Sequence, residues 1–306
     1  MDQILLTSQL LASGYGKDEL RRLERRGELA HVRRGSWARI LPDSERLQPE
    51  EQHRRLVTAV SARVGADAVV SHGSAAVLHA LATWPTARQR VHLTRSRSTG
   101  AQRRSDVEMH SATLPASQVT EVDGLAVTSM ARTVADLGRT LSFDQAVAAG
   151  DRAAARGLDF GELDAVLESM RRWPGVAQAR RVADFLDSRA ESAGESVSRV
   201  RLCEAGLPCP IPQREIYDDQ GTMIARVDFA WEQYRTIGEF DGKVKYGDLL
   251  APGQLPSDVL FAEKLREDAL RDAGWQVVRW VWADLDRPTL LRDKVLRAFA
   301  RTGSRR

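Results

Sequence analysis

Apolar and polar residues alternate most regularly in the last third of the chain. Across Met223–Trp231 the positions Ala225, Val227, Phe229 and Trp231 are apolar, which predicts a strand that turns Asp228 to the opposite face. Across 236–243, Glu239, Asp241 and Lys243 share one face and Phe240 takes the other, so a second strand is predicted. Joined through Glu232-Gln233-Tyr234-Arg235, the two make a hairpin in which Asp228 converges with the row Glu239, Asp241 and Lys243. Ahead of it, the Pro-rich LPCPIPQ at 207–213 forces an extended passage. Behind it, a helix over 257–273, a strand over 275–282 and a closing helix over 287–301 complete a mixed sheet flanked by helices. Trp275, Trp280 and Trp282 lie in this part, with core or sheet packing expected over stacking on bases.

The N-terminal pattern is different. Thr7 or Ser8 caps a short helix through Leu11, Gly14-Tyr15-Gly16 breaks it, and a second helix over 17–26 puts Leu20 and Leu23 on one face. Its other face exposes Lys17, Arg21, Arg22 and Arg25. Gly27 ends that helix, and strands over 28–32 and 37–40 flank the basic turn Arg33-Arg34-Gly35-Ser36. Helix, turn, helix, hairpin is the order of winged helix-turn-helix readers, which place a basic helix in the major groove and a hairpin tip on the flanking backbone. Between the two ends, Thr128 and Ser129 cap a helix over 130–137, Phe143–Ala155 is helical, and the remainder mixes strands and helices. His72 and His79 stand seven apart on an Ala/Leu-rich helical pattern, where packing or capping roles are expected.

The predicted class is therefore α+β or α/β and multidomain. Residues 1–45 form a winged helix-turn-helix DNA-binding domain, 46–160 a middle α/β domain, 161–189 a helical linker and 190–306 a mixed sheet flanked by helices.

Composition narrows the chemistry. A chain of 306 residues with 42% hydrophobic and 28% charged positions can bury about two cores and reads as a soluble protein rather than a disordered or membrane one. No segment approaches the roughly 20 apolar residues of a membrane helix, and the start of the chain lacks a signal-like pattern, so the expectation is a cytoplasmic protein with no membrane partner. Cys203 and Cys209 match neither a redox pair nor a zinc set and are expected to be reduced thiols. Nucleoside-triphosphate and dinucleotide loops are absent. All six histidines lie in the first 110 residues, so chemistry in the second half must run on carboxylates and lysine.

The net charge is only +3, but it is unevenly spread. Residues 86–105 hold six arginines and no acid, and the first 40 residues hold eight basic against five acidic side chains, which makes nucleic acid the leading partner. Crowded carboxylates repel unless a cation sits among them, and an oxygen-only set suits a hard divalent ion such as Mg²⁺. A phosphodiester hydrolase uses such an ion together with a positive side chain, the role that Lys243 fits. A charged edge strand kept soluble by its charges has the same composition, so this pattern alone leaves both readings open.

Two resemblances add to this. TSQLLASGYGKDELRRLERRGELAHVRRGSWA resembles the N-terminal winged helix of AbiEi-type antitoxins, and SHGSAAVLHAL, VHLTRSRS and GLAVTSMARTVADLGRTLSFDQAVAAGDRAAARG resemble the segment that follows it. That resemblance implies promoter binding as a repressor, with a cognate toxin protein as a further partner; it leaves the oligomeric state open. ESVSRVRLCEAGLPCPIPQ, RVDFAW, IGEFDGKVKY and AEKLREDALRDAGWQVVRWVWADL resemble the PD-(D/E)xK domain related to very-short-patch-repair endonucleases. It implies Glu195 as a helix carboxylate, Asp228, Glu239 and Asp241 as ligands of Mg²⁺ or Mn²⁺, and Lys243 as the catalytic cation. Gln213, Glu263, Lys264 and Arg266 match further family positions. The chain departs from the very-short-patch enzymes in lacking histidine in this half and any zinc-type cysteine set. Two functions follow: a metal-dependent endonuclease, or a non-enzymatic repressor whose nuclease-like domain is inert.

Overall fold

The structure is a computed structural model that describes residues 4–39, 47–65, 67–82, 84–96, 102–103, 106–242 and 256–303. The chain divides into two compact units, Met1–Ser142 with Leu158–Asp184, and Phe143–Gly157 with Phe185–Arg306. Both mix helices with sheets, and no helix among the described residues is long and apolar enough to cross a membrane.

The first unit opens with β1 (Ile4–Leu6), α1 (Thr7–Ala12), α2 (Lys17–Arg25), β2 (Leu29–Arg33) and β3 (Ser36–Arg39). Leu10, Leu20 and Leu29 are buried together, with Leu5, Tyr15, Leu23 and Trp37 packed on them. Gly27, with φ of +72°, lets the chain leave α2 in a left-handed conformation, and β2 and β3 then pair antiparallel. The sequence pattern gave no sign of β1, whose three residues add to β3 and set the order β1-β3-β2.

The chain continues through α3 (Pro49–Ser61), β4 (Ala68–Val70), α4 (His72–Leu78), β5 (Val91–Arg95), β6 (Gln102–Arg103), β7 (Val107–Ser111), β8 (Val119–Val122), β9 (Leu125–Thr128) and α5 (Met130–Thr140). The strands form one sheet in the order β6-β7-β5-β4-β9-β8, with β5 and β7 parallel. Val57 and Val60 of α3 and Ala75 and Leu78 of α4 pack on Val70, Val91, Leu93, Val107 and Val127, so alternate strand positions form the core and the positions between them face elsewhere. Ser129 caps α5 by accepting from the Arg132 amide at 3.2 Å. After α6 (Phe143–Ala155), which belongs to the second unit, residues 161–189 carry most of α7 (Phe160–Ser169) and all of α8 (Val176–Phe185).

The second unit adds α9 (Ala193–Glu204), β10 (Ile211–Tyr217), β11 (Met223–Trp231), β12 (Thr236–Phe240), α10 (Pro256–Asp272), β13 (Gln276–Trp280), α11 (Trp282–Leu285) and α12 (Pro288–Gly303). The sheet order is β10-β11-β12-β13, antiparallel except for β12 with β13, which a crossover through α10 makes parallel. Ile216, Ala225, Val227, Ala230, Ile237, Leu270 and Trp275 form its core. In α6, both carboxylate oxygens of Asp151 lie 3.0 Å from one guanidinium nitrogen of Arg199 of α9, a buried ion pair that locks the two helices together.

Three expectations are corrected. Cys203 and Cys209 are joined in a disulfide, because the turn at Gly206 brings their Cα atoms to 5.1 Å, within bridging distance. The strand expected over 236–243 ends at Phe240, and Lys243 lies outside the described residues. The strand expected over 275–282 stops at Trp280, and Trp282 begins the short α11. Trp280 and Trp275 are core residues, and Trp280 donates to Ser198 Oγ at 2.8 Å.

Candidate functional site

In the second unit, β11 and β12 pair with Phe229 opposite Gly238, so the next rung sets Asp228 beside Glu239. The ladder ends there: the Phe240 amide donates to Asp228 Oδ2 at 2.8 Å, and the Asp241 amide turns to the Trp280 carbonyl at 2.8 Å. Gly194 at the start of α9 lies against the Phe240 ring, where a Cβ would stand 1.9 Å from a ring carbon, so only glycine lets the helix come this close to the hairpin.

That approach delivers Glu195, which is 8% exposed. Ser192 Oγ donates to its Oε1 at 2.7 Å, while Oε2 accepts from Gln213 at 2.9 Å and from the Glu191 amide at 3.0 Å. Gln213 takes φ of +51° inside β10, a left-handed conformation costly for a residue with a Cβ, and its side chain meets Glu195.

Burial pushes the Asp228 carboxyl up to about 7, with the negative charges of Glu195 and Glu239 adding to the shift and the Phe240 amide and Arg266 opposing it. Glu239 is raised as well, by burial first, against the pull of Arg266 and Arg279. Arg266 of α10 bonds Glu239 Oε2 at 3.1 Å, whereas Glu239 Oε1 is buried with no hydrogen-bond partner. Arg279, opposite Glu239 on β13, pairs with Glu263 and with Glu267 at 3.1 Å. Of the site residues read from the sequence, Glu195 and Glu239 lie near enough for their charges to act on Asp228, but no three of Glu195, Asp228, Glu239 and Asp241 bring ligand atoms within 4.8 Å of one another; Asp241 follows on an exposed position, and Lys243 falls outside the described residues. The cation that stands beside them is Arg266, and Lys264 is exposed.

Lys17, Arg21, Arg22 and Arg25 of α2 are exposed, as is Arg34 at the hairpin tip. Arg33 is not free in the same way: it pairs with Asp106 at 2.8 Å with its side chain 21% exposed.

The first unit holds a polar cluster that sequence reasoning passed over. His92 stands opposite Glu108 and Thr94 opposite His110 across the parallel β5–β7 pair, so all four alternate with the core positions Val91, Leu93 and Val107. His92 Nδ1 and His110 Nε2 are 3.0 Å apart. His72, at φ of +49°, stacks on His110 with ring centroids 3.8 Å apart and contacts Ser71 Oγ at 3.0 Å. Burial holds His72 well below the usual imidazole range, reinforced by His110, His92, Arg132 and Arg139. Behind it, buried Asp136 accepts from Arg132 at 2.8 Å and from Arg139 at 3.1 Å, and both guanidiniums lie about 5 Å over the Trp173 ring (5.1 and 4.9 Å). The signal in the sequence was the alternation in VHLTR and VEMHS, with histidine at polar strand positions.

His53 makes the neighbouring part of this unit sensitive to pH. It is 3% exposed, between the Arg88 carbonyl at Nδ1 (3.0 Å) and Ser74 Oγ at Nε2 (2.9 Å), and burial lowers it from 6.5 to about 4. A folded value below the unfolded one means that the unfolded chain binds the proton first. The stability held above pH 6.5 is therefore lost as pH falls toward 4, by about 3 kcal/mol in all. Urea midpoints of wild type and His53→Gln across that interval are expected to show the steeper decline in the wild type; parallel curves would remove His53 as the cause.

No protein-family profile matches the chain. Over 248 residues, 80% of this chain and 86% of the relative, it is 29% identical to an uncharacterized protein of Mycobacterium tuberculosis strain CDC 1551 / Oshkosh. The same identity and coverage hold for an uncharacterized protein of Mycobacterium tuberculosis strain ATCC 25618 / H37Rv. The chain is thus similar to mycobacterial proteins along most of its length.

Proposed function

We propose that this chain is a DNA-binding protein whose second unit cleaves phosphodiester bonds in the manner of PD-(D/E)xK endonucleases. The observation that carries the reading is Asp228, pushed up to about 7 by burial with the charges of Glu195 and Glu239 adding to it, together with Glu239 Oε1 buried and unpartnered. Crowded acids with an unpaired buried oxygen fit a hard divalent cation. Asp228, Glu239 and Asp241 would hold Mg²⁺ or Mn²⁺, which when bound supplies Lewis-acid polarisation of the phosphate. Glu195, fixed by Ser192, Gln213 and the Glu191 amide, orients polar groups beside Asp228. Lys243 is assigned the cation that offsets developing negative charge.

The first unit supplies the DNA contacts, with α2 as the groove-reading helix of a winged helix-turn-helix and Arg34 on the backbone. Arg21→Ala with Arg22→Ala is expected to lower duplex affinity and reduce the slope of log affinity against log salt by about 0.9 for each lost phosphate contact. Unchanged affinity would remove α2 from the interface.

One observation favours a second reading. Arg266 already pairs with Glu239, so an internal cation takes part of the role of an ion. In that reading the nuclease-like unit is inert or contacts a toxin, and the chain is a cytoplasmic AbiEi-type repressor. The deciding experiment is cleavage of plasmid and short duplex DNA with Mg²⁺ or Mn²⁺, with Asp241→Ala/Lys243→Ala as control. Cleavage lost in the control supports the nuclease. Absence of cleavage with tight binding to the promoter of its own gene supports the repressor.

A further inference from the structure

The His92, Glu108 and His110 side chains present three ligand atoms within 4.8 Å of one another, and among the described residues this is the one such group of histidine, cysteine and acidic side chains. They come from two adjacent parallel strands, on positions that alternate with buried valine and leucine, so the backbone hydrogen bonds of the sheet hold their spacing. All three are half-buried, which leaves them open to an ion from solvent while screening them from bulk water. The His92 Nδ1 to His110 Nε2 separation is 3.0 Å. Two imidazole nitrogens on one tetrahedral zinc stand about 3.3 Å apart, given zinc–nitrogen bonds near 2.05 Å, so binding needs only a few tenths of an ångström of adjustment.

We propose that His92, Glu108 and His110 form a binding site for a zinc-class divalent ion, with the fourth coordination position left for water or an exogenous ligand. Two imidazoles and one carboxylate are a borderline-soft set that suits Zn²⁺ and disfavours Mg²⁺, so the site is chemically distinct from the carboxylates of the second unit. His72 is a positioning residue: its ring lies against His110 at 3.8 Å and 16° from parallel, and its Nδ1 contacts Ser71 Oγ, to which Thr94 donates at 2.8 Å. That stack fixes the plane of the His110 ring, the kind of outer support that tunes a metal ligand.

The test uses the full chain without an affinity tag, stripped with a chelator and titrated with Zn²⁺ against a chromophoric competitor. Co²⁺ serves as a parallel absorbance probe of tetrahedral geometry. One equivalent is expected to bind, with His92→Ala and Glu108→Gln each weakening it by at least about 100-fold and Asp228→Asn leaving it unchanged. Glu108→Gln preserves volume, and circular dichroism checks its fold, so it decides the outcome if His92→Ala fails to fold. Absence of Zn²⁺ uptake by the wild type, equal uptake by Glu108→Gln, or uptake lost in Asp228→Asn would each overturn the proposal. Because Zn²⁺ uptake is read independently of DNA cleavage, its failure is separable from failure of the nuclease reading.

Discussion

Under the proposed nuclease reading, Asp228→Asn is expected to abolish Mg²⁺-dependent cleavage, by at least about 1000-fold, and independently of that reading to stabilise the second unit at pH 8. Both effects come from the same geometry. The carboxyl is half-buried beside Glu195 and Glu239, and burial pushes it up to about 7 from 3.8. A folded value above the unfolded one means the folded chain holds the proton more tightly. Its stabilising contribution is complete below pH 3.8 and is lost as pH rises through 7. An ionised Asp228 at pH 8 therefore costs stability on the order of 4 kcal/mol, which a neutral amide avoids. Asn can still accept the Phe240 amide, so the end of β12 is preserved. Cleavage assays and urea melts of the two proteins read these effects separately. A destabilised Asp228→Asn would contradict the electrostatic account, and undiminished cleavage would remove Asp228 from the site.

Arg132→Met carries the largest expected loss of stability. Its side chain is 1% exposed, and it bonds Asp136, which is fully buried, along with the Thr113 carbonyl and Gln118 Oε1. Removing the guanidinium leaves a buried carboxylate with only Arg139 beside it, at a cost of about 3–5 kcal/mol. In Arg132→Met/Asp136→Leu the unpaired charge is gone, so the double variant is expected to lie closer to wild type than Arg132→Met. The loss persists in part, because the Thr113 and Gln118 oxygens stay without their donor. A double-mutant cycle by urea denaturation measures the coupling. Additive single effects would show that the ion pair is not what holds α5.

The two strands of the carboxylate hairpin were legible because period-two alternation is local: Ala225, Val227 and Phe229 point to one side whatever lies beyond them. The Ser129 cap was legible for the same reason, since its hydroxyl meets an amide three residues on, whereas Thr7 and Ser8, expected to cap α1, lie inside it behind Leu6, and the Thr7 hydroxyl accepts from the Trp37 indole instead. Alternation did not foretell that Ala230 is buried as well, because whether the second face is covered depends on distant elements. It also missed the end of β12, where the Asp228 carboxylate takes the Phe240 amide. The disulfide escaped because thiol spacing says nothing of the 5.1 Å approach that the Gly206 turn creates.

By itself, then, the sequence determined the local periods of the longer, strongly patterned segments, which of their faces are apolar, where basic side chains concentrate, and that the second half carries no imidazole. Only the tertiary structure decided which polar groups meet. The parallel register that sets His92 against Glu108, the approach of Gly194 to Phe240 that brings in Glu195, and the arrival of Arg266 at Glu239 join residues far apart in the chain. So too the shifts of Asp228 and His53, since desolvation arises from everything packed around a group and not from its neighbours in sequence.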